Sequence, residues 1–257
     1  MYFVIIIPIL LFLAWLIFRK KDSPKPITPQ KTDSALRLLL DDHVDYYHKL
    51  DAKEKQRFEL KVDNFLRDVN IEGVGTDITD LDKALIASSA VIPIFGFGDW
   101  EYRNLTNVIL YPDTFDETYQ FEGDARTIQG MVGSGYMNGQ MILSRPSLYK
   151  GFSSQSGKEN TGIHEFVHLL DKSDGATDGV PEKFMSHEYA APWLSLIHRE
   201  IRRIEDGKSD INPYATTNEA EFLAVASEYF FEKPDQFKTK HLELYEQLSR
   251  VFRQDPA

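Results

Sequence analysis

The sequence predicts an α+β domain, with helices around a small mixed sheet, preceded by an N-terminal transmembrane helix. Three observations support this prediction. The first 18 residues are apolar and uncharged. Two blocks of helical pattern follow, and between them lie short segments rich in branched residues and separated by Gly and Asn. Helices that precede and follow a group of strands, instead of alternating with them, are typical of the α+β class.

The N-terminal segment, residues 1–18, predicts a single-pass membrane anchor. A helix of 18 residues spans about 27 Å, close to the thickness of a bilayer core. The basic cluster RKK follows this run directly, whereas a cleaved signal peptide, the alternative, carries its basic residues before the run. The positive-inside rule then predicts an inner-membrane protein whose domain faces the cytoplasm. Residues 19–34, with three prolines, are predicted as a juxtamembrane linker, and residues 35–257 as the folded domain.

The elements of the domain follow from hydrophobic periodicity. Segments with helical pattern before the strands lie at 35–50, 51–69 and 79–95. Asp51 and Thr79 stand at the start of the last two, where N-caps are expected. Strand-like segments lie at 105–111, 126–133 and 139–144. Helical pattern returns at 161–172, 191–207, 217–234 and 242–254.

The composition restricts the classes of function. The chain has 257 residues and no cysteine, which excludes disulfides, thiolate metal ligands and a cysteine nucleophile. A metal ion would therefore be bound by His, Asp or Glu side chains. The formal net charge of -11 disfavours a nucleic-acid partner.

The stretch TGIHEFVHLLDKSDG, residues 161–175, contains two histidines four positions apart, with a glutamate directly after the first. Positions i and i+4 share one face of a helix, so His164 and His168 can offer two imidazoles to one metal ion. Glu165 lies beside them and can take a proton from a water molecule that the metal activates. The pattern predicts a catalytic zinc site, and the alternative is an ordinary helix whose histidines have other partners.

A catalytic zinc ion usually has three protein ligands, and spacing alone leaves the third ligand open. The acidic candidates are Asp171, Glu219, Glu221 and Glu228. Asp171 follows His168 by three residues, so we expect it to accept a hydrogen bond from an imidazole; the alternative is a solvated helix end. Glu221 and Glu228 are about two helical turns apart and can face the same way. The other histidines are interpreted as surface residues: His43, His48, His187, His198 and His241.

Three blocks of the sequence, HEFVHLLD, DGVP and PYATTNEAEFLAVASEYFFEKPDQF, resemble the Mlc titration factor A family of zinc peptidases. The upstream segment ASSAVIPIFGFGDWEYRNLTNVILYPDTF resembles this family as well, and the likeness covers about residues 50–256. The family consists of gluzincin-type peptidases whose catalytic domain is similar to that of anthrax lethal factor. The resemblance therefore implies a zincin-like metallopeptidase domain that binds one Zn2+ ion.

The resemblance also implies roles for individual residues. It implies that His164, His168 and Glu221 are the metal ligands and that Glu165 is the general base. Tyr214 corresponds to a tyrosine near the metal, whose phenol can donate a hydrogen bond to the oxyanion of the tetrahedral intermediate; the alternative is an ordinary aromatic residue of a loop. The glutamate of the SEYFF block is not a ligand in this pattern and becomes a residue that supports the site.

The predicted function is a zinc-dependent peptidase that hydrolyses peptide bonds with a metal-activated water molecule. The expected partners are a peptide or protein substrate, the membrane through the N-terminal helix, and a protein partner such as a transcriptional regulator. The alternative is a membrane-tethered regulatory binding protein that sequesters such a partner, with zinc mainly structural. A third hypothesis is a zinc hydrolase that acts on a non-peptide substrate. The glycine-rich segment 133–144 is expected to border the cleft, with a plain hairpin as the alternative.

Overall fold

A computed structural model describes residues 34–123, 126–154, 157–185 and 187–257, in which helices precede and follow a four-stranded sheet. The first helices are α1 (Ser34–His43), α2 (Asp45–His48), α3 (Ala52–Asp68) and α4 (Asp80–Ile94). The strands are β1 (Asn70–Gly73), β2 (Asn107–Tyr111), β3 (Gly130–Val132) and β4 (Gln140–Ser144). The later helices are α5 (Arg145–Gly151), α6 (Thr161–Asp171), α7 (His187–Glu205), α8 (Glu219–Glu232), α9 (Pro234–Lys240) and α10 (Leu242–Phe252). The predicted α+β class is confirmed.

The sequence did not predict β1, α5 and α9. Strand β1 consists of the four residues NIEG, and its side chains are exposed or half-buried. This segment has four residues and a single large apolar side chain, Ile71, which is too short for a period of two to be recognised. Helices α5 and α9 have seven residues each, which is too short for a helical period to be recognised.

The sheet has the strand order β1-β2-β4-β3, and only the pair of β3 and β4 is antiparallel. Strand β4, inside the segment expected to border the cleft, is paired on both sides and has no free edge. The free edge beside α6 belongs to β3. In β3, Met131 exchanges hydrogen bonds with Ile142, as the flanking bonds of Gln129 and Gly133 to β4 indicate.

Helix α6 is surrounded by other elements, and its sequence explains how it begins. The side chain of Asn160 accepts a hydrogen bond from the N–H of Ile163 at 3.1 Å, which is an N-cap. Gly162 in the first turn allows close packing against α4. A Cβ atom at this position would overlap the hydroxyl of Ser89 and lie 2.8 Å from its Cβ atom.

The membrane prediction needs a correction. Within the part of the chain that the structure describes, no helix is both long and apolar enough to cross a membrane. Helix α7 has 19 residues but carries a charged face that includes Arg199, Glu200 and Arg203. A single-pass inner-membrane protein with a cytoplasmic domain is therefore not supported. The predicted anchor (1–18) lies outside the described residues, and so does the predicted linker except for Ser34, which begins α1.

The close approach of α4 and α6 yields a stability prediction. Gly162→Ala should lower the free energy of unfolding by about 1–3 kcal/mol, because the added methyl group overlaps Ser89 in a packed interior. This loss should exceed the gain of about 1 kcal/mol from the better helix propensity of alanine. Chemical denaturation of the two proteins measures the difference. Adding Ser89→Ala should restore part of the stability, and a midpoint at or above that of the parent would contradict the packing argument.

Candidate metal centre

Helices α6 and α8 bring three side chains to one point. Nε2 of His164 lies 3.0 Å from Oε2 of Glu221, and Nε2 of His168 lies 3.1 Å from Nε2 of His164. The third separation, from Nε2 of His168 to Oε2 of Glu221, is 3.5 Å. We call these three residues the donor group. Among the residues that the structure describes, it is the one cluster of His, Asp or Glu whose geometry suits a metal ion.

The separations in the donor group fit a tetrahedral metal ion. With metal–ligand bonds of 2.0–2.1 Å, two ligands at a tetrahedral angle are about 3.3 Å apart, which lies within the observed range. Two imidazole nitrogens at 3.1 Å repel each other unless a cation or a shared proton lies between their lone pairs. Three protein ligands also leave the fourth position of a tetrahedron open, as in catalytic sites. The residues therefore fit a metal such as Zn2+.

The electrostatics of the donor group favour positive charge at this point. Burial alone would lower the pKa of His164, but its hydrogen bonds to Glu221 and Glu228 outweigh burial and raise the pKa to about 10. Burial alone would raise the pKa of Glu221, but its hydrogen bonds with His164 and His168 lower it to about 2. The carboxylates thus favour positive charge on the histidines, and they would favour a bound cation for the same reason.

Glu165 lies beside the donor group without belonging to it. The residue is 6% exposed, and its side chain packs under Gly130 of β3, where a Cβ atom would lie 2.7 Å from the Cγ atom of Glu165. Burial raises the pKa of Glu165, and the neighbouring His164 and His168 oppose this shift only partly. The absence of a side chain at Gly130 thus makes room for the carboxylate between the edge strand and the metal site.

Tyr214 is placed at the same site by a short 3-10 turn, Pro213–Thr216. The side chain of Asn212 accepts a hydrogen bond from the N–H of Tyr214 at 3.0 Å and fixes the turn. The Tyr214 ring lies 6.1 Å from the His164 ring, measured between centroids, and the residue is 54% exposed. Burial, Glu221 and Glu165 raise the pKa of Tyr214, so its phenol keeps its proton at neutral pH.

Asp171 does not form the expected hydrogen bond to an imidazole. Its Oδ2 atom accepts a hydrogen bond from the N–H of Gly179 at 2.9 Å, which fixes the turn after α6. Its Oδ1 atom and Nδ1 of His168 are both buried without a hydrogen-bond partner among the described residues. Burial raises the pKa of Asp171 to about 6.

The remaining candidates lie apart from the donor group. Glu219 is hydrogen-bonded to His198 at 2.8 Å. His198, His43 and His48 are exposed, as predicted. His241 is buried, so the prediction that it lies at the surface is wrong. Its Nε2 atom is hydrogen-bonded to Asp210 at 2.7 Å. The side chain of His187 lies outside the described part of the chain.

Two contributors to the site, Asn160 and Gly130, were not singled out from the sequence. Asn160 directly precedes the helix of the motif, and Asn at this position is an N-cap signal. Gly130 interrupts a strand-like segment, and glycine within a strand often marks a close approach of other groups. Both signals were present in the sequence, but neither showed which side chain would lie nearby.

The buried α6 helix, with two imidazoles on one face and a glutamate directly after the first, has the pattern that is typical of metallopeptidases. The model of the glucose-regulated metallopeptidase family M90 matches residues 18–253. The chain belongs to this family.

Individual relatives agree with this assignment. An uncharacterized protein of Synechocystis sp. is 28% identical over 254 residues, which cover 94% of this chain and 90% of the relative. Mlc titration factor A of Salmonella arizonae is 29% identical over 221 residues, which cover 81% of this chain and 86% of the relative. Mlc titration factor A of Salmonella paratyphi B is 30% identical over 221 residues, which cover 81% of this chain and 82% of the relative. The predicted resemblance to the Mlc titration factor A family is confirmed.

The geometry of the donor group predicts stabilisation by metal. Zn2+ at 100 times its dissociation constant should raise the free energy of unfolding of the metal-stripped protein by about 2.7 kcal/mol. Glu221→Gln should abolish most of this gain, because a neutral amide is a poorer ligand than a carboxylate. Thermal unfolding with and without ZnCl2 measures the effect. Glu219→Gln, on the same helix but outside the donor group, is the control, and an equal gain in both variants would exclude Glu221 as a ligand.

Proposed function

We propose that this chain is a zinc-dependent peptidase in which His164, His168 and Glu221 bind one Zn2+ ion and Glu165 is the general base. The observation that carries the proposal is the buried Glu165 beside the donor group. A metal that only stabilises a fold needs no additional carboxylate at its open position. A carboxylate there is what the deprotonation of a water molecule requires.

In the proposed mechanism the metal activates the water molecule and the carbonyl group, and Glu165 transfers the proton. A bound Zn2+ ion supplies an acidified water molecule and polarises the carbonyl group of the substrate. Glu165 accepts the proton of the attacking water and transfers it to the amine nitrogen that leaves. Burial raises the pKa of Glu165, in the direction that favours return of the proton.

The free edge of β3 supports a peptide as the substrate. Hydrogen bonds with β4 use the backbone groups of Gln129, Met131 and Gly133, so the N–H and C=O groups of Gly130 and Val132 point away from β4. An extended peptide can bind to these groups by strand addition. Because Gly130 contacts Glu165, a peptide bound at this edge lies beside the proposed base.

Tyr214 is proposed as the residue that stabilises the transition state. Its phenol is protonated at neutral pH, and its ring stands next to His164 on an exposed turn. A phenol at this position can donate a hydrogen bond to the negative oxygen atom that forms when water attacks the carbonyl carbon. Tyr214 is 54% exposed, so its phenol is accessible to a substrate.

The role of Glu165 predicts separate effects on chemistry and on metal binding. Glu165→Gln should lower kcat by about 10²–10⁴-fold, because the amide cannot accept the proton, while bound zinc stays the same. Fluorogenic peptide hydrolysis and metal analysis of the same samples provide the two readouts. Glu219→Gln should change neither readout. Loss of zinc in Glu165→Gln would instead make this residue a ligand, and unchanged turnover would exclude it as the base.

The role of Tyr214 predicts a loss in kcat rather than in substrate binding. Tyr214→Phe should lower kcat by about 10²–10³-fold, since one donor to the oxyanion is removed, and should leave KM nearly unchanged. Tyr189→Phe, at another exposed tyrosine, is the matched control. Steady-state kinetics of the parent, Tyr214→Phe and Tyr189→Phe measure kcat and KM. A rise in KM at constant kcat would assign Tyr214 to substrate binding only.

A second candidate function is favoured by the names of the relatives, which call them titration factors of Mlc. In this alternative the chain binds and sequesters a protein partner, such as a transcriptional regulator, and the metal is mainly structural. The two functions make different demands on Glu165. Sequestration does not require a proton acceptor, so Glu165→Gln would leave capture of the partner intact.

A further inference from the structure

Glu228 lies behind His164, on the side opposite to the donor group. Its Oε1 atom is 2.7 Å from Nδ1 of His164. Its Oε2 atom accepts a hydrogen bond from the backbone N–H of Asn160 at 2.5 Å. The Glu228 side chain is buried, so these two contacts use both of its oxygen atoms inside the protein.

The contact with Glu228 determines which nitrogen of His164 carries the proton. A neutral imidazole has one N–H donor and one acceptor nitrogen, and an ionised carboxylate can only accept. When a metal binds His164, the imidazole must be neutral, and the contact with Glu228 then keeps the proton on Nδ1 and leaves the lone pair of Nε2 for the metal. The negative carboxylate also makes the imidazole a stronger ligand and fixes the plane of its ring.

Asn160 holds Glu228 in turn, because Asn160 is itself fixed on three sides. Its Oδ1 atom caps α6, and its Nδ2 atom donates hydrogen bonds to the carbonyl of Gly151 at 3.3 Å and to Glu232 at 2.9 Å. The residue is completely buried. Its backbone N–H group is thus a rigid donor at the start of α6.

We propose that Glu228 is a positioning residue for the metal site, which holds His164 with Nε2 toward the ion and is itself held by the Asn160 N–H. The inference rests on the proposed metal site and adds an asymmetry between its two imidazoles. Nδ1 of His168 has no hydrogen-bond partner among the described residues, so His164 is the preorganised ligand of the pair. Preorganisation lowers the cost of ordering the ligand when the metal binds.

The chemistry of the two contacts explains why glutamate and not glutamine occupies position 228. Both groups that face its side chain, the Asn160 N–H and the Nδ1–H of His164, are donors. Glutamine offers one acceptor oxygen and one NH2 donor, so Glu228→Gln must lose one of the two bonds. Glu219 provides the matched control: it lies on the same helix and makes a carboxylate–imidazole contact of 2.8 Å with His198, but at the surface.

The test measures zinc affinity instead of activity, by competition of the full-length proteins with a chromophoric chelator. Glu228→Gln should weaken zinc binding by about 10–100-fold, the usual effect of losing such a partner of a metal-bound histidine. Glu219→Gln should bind zinc like the parent. Equal affinities in all three proteins would overturn the role of Glu228 and leave the metal site standing. A parent protein that binds no zinc would overturn the proposed metal site itself.

A second measurement needs no variant and applies even if Glu228→Gln fails to fold. Long-range 1H–15N correlation spectra of the zinc-loaded parent, with His164→Gln used for assignment, report the protonation of each imidazole nitrogen. The expected result for His164 is a proton on Nδ1 and the metal on Nε2. Metal coordination through Nδ1 would overturn the positioning role, because Glu228 would then have no donor to hold.

Discussion

The structure of this protein depends on one electrostatic constraint: three lone-pair donors are held 3.0–3.5 Å apart in a largely buried place. Without a metal ion or a shared proton between them, two imidazole nitrogens and a carboxylate in this arrangement repel one another. Such a cluster persists only where packing fixes the elements that carry it. Helices α6 and α8 meet this condition, because α6 is capped by Asn160 and packs closely on α4 through Gly162.

The charges around the donor group extend this argument. Glu165, Glu221 and Glu228 are all near His164, and two of these carboxylates contact the imidazole directly. Burying several carboxylates next to two imidazoles costs free energy unless additional positive charge is supplied. A divalent cation bound where the donors converge would supply that charge. The same surplus of negative charge that makes the site unfavourable on its own therefore favours metal binding.

The part of the site that could be predicted from the sequence is the part that local geometry determines. The spacing of His164 and His168 was sufficient to predict that their imidazoles lie together, because a single helix places positions i and i+4 on one face. The third ligand could not be chosen by spacing, since Glu219, Glu221 and Glu228 differ only in how α8 packs on α6. Only the family resemblance singled out Glu221, which the structure brings to the two histidines.

Other differences between prediction and structure have the same nonlocal origin. His241 looks like a surface residue in the sequence but is buried because Asp210, 31 residues away, packs against it. The sheet edge beside α6 belongs to β3 and not to β4, because strand order depends on pairing between distant segments. Neither feature leaves a periodic pattern in the sequence.

Strand β3 links the geometry of the base to that of the proposed substrate. Gly130 contacts Glu165 through its Cα face, and its N–H and C=O groups lie on the free edge of the sheet. A peptide paired with this edge is aligned by backbone hydrogen bonds, which are independent of its side chains. In the proposed peptidase function, the strand would determine the distance from the scissile bond to Glu165, without recognition of particular residues. Such a site would select an extended backbone first, and side-chain preference would come from surfaces beyond β3.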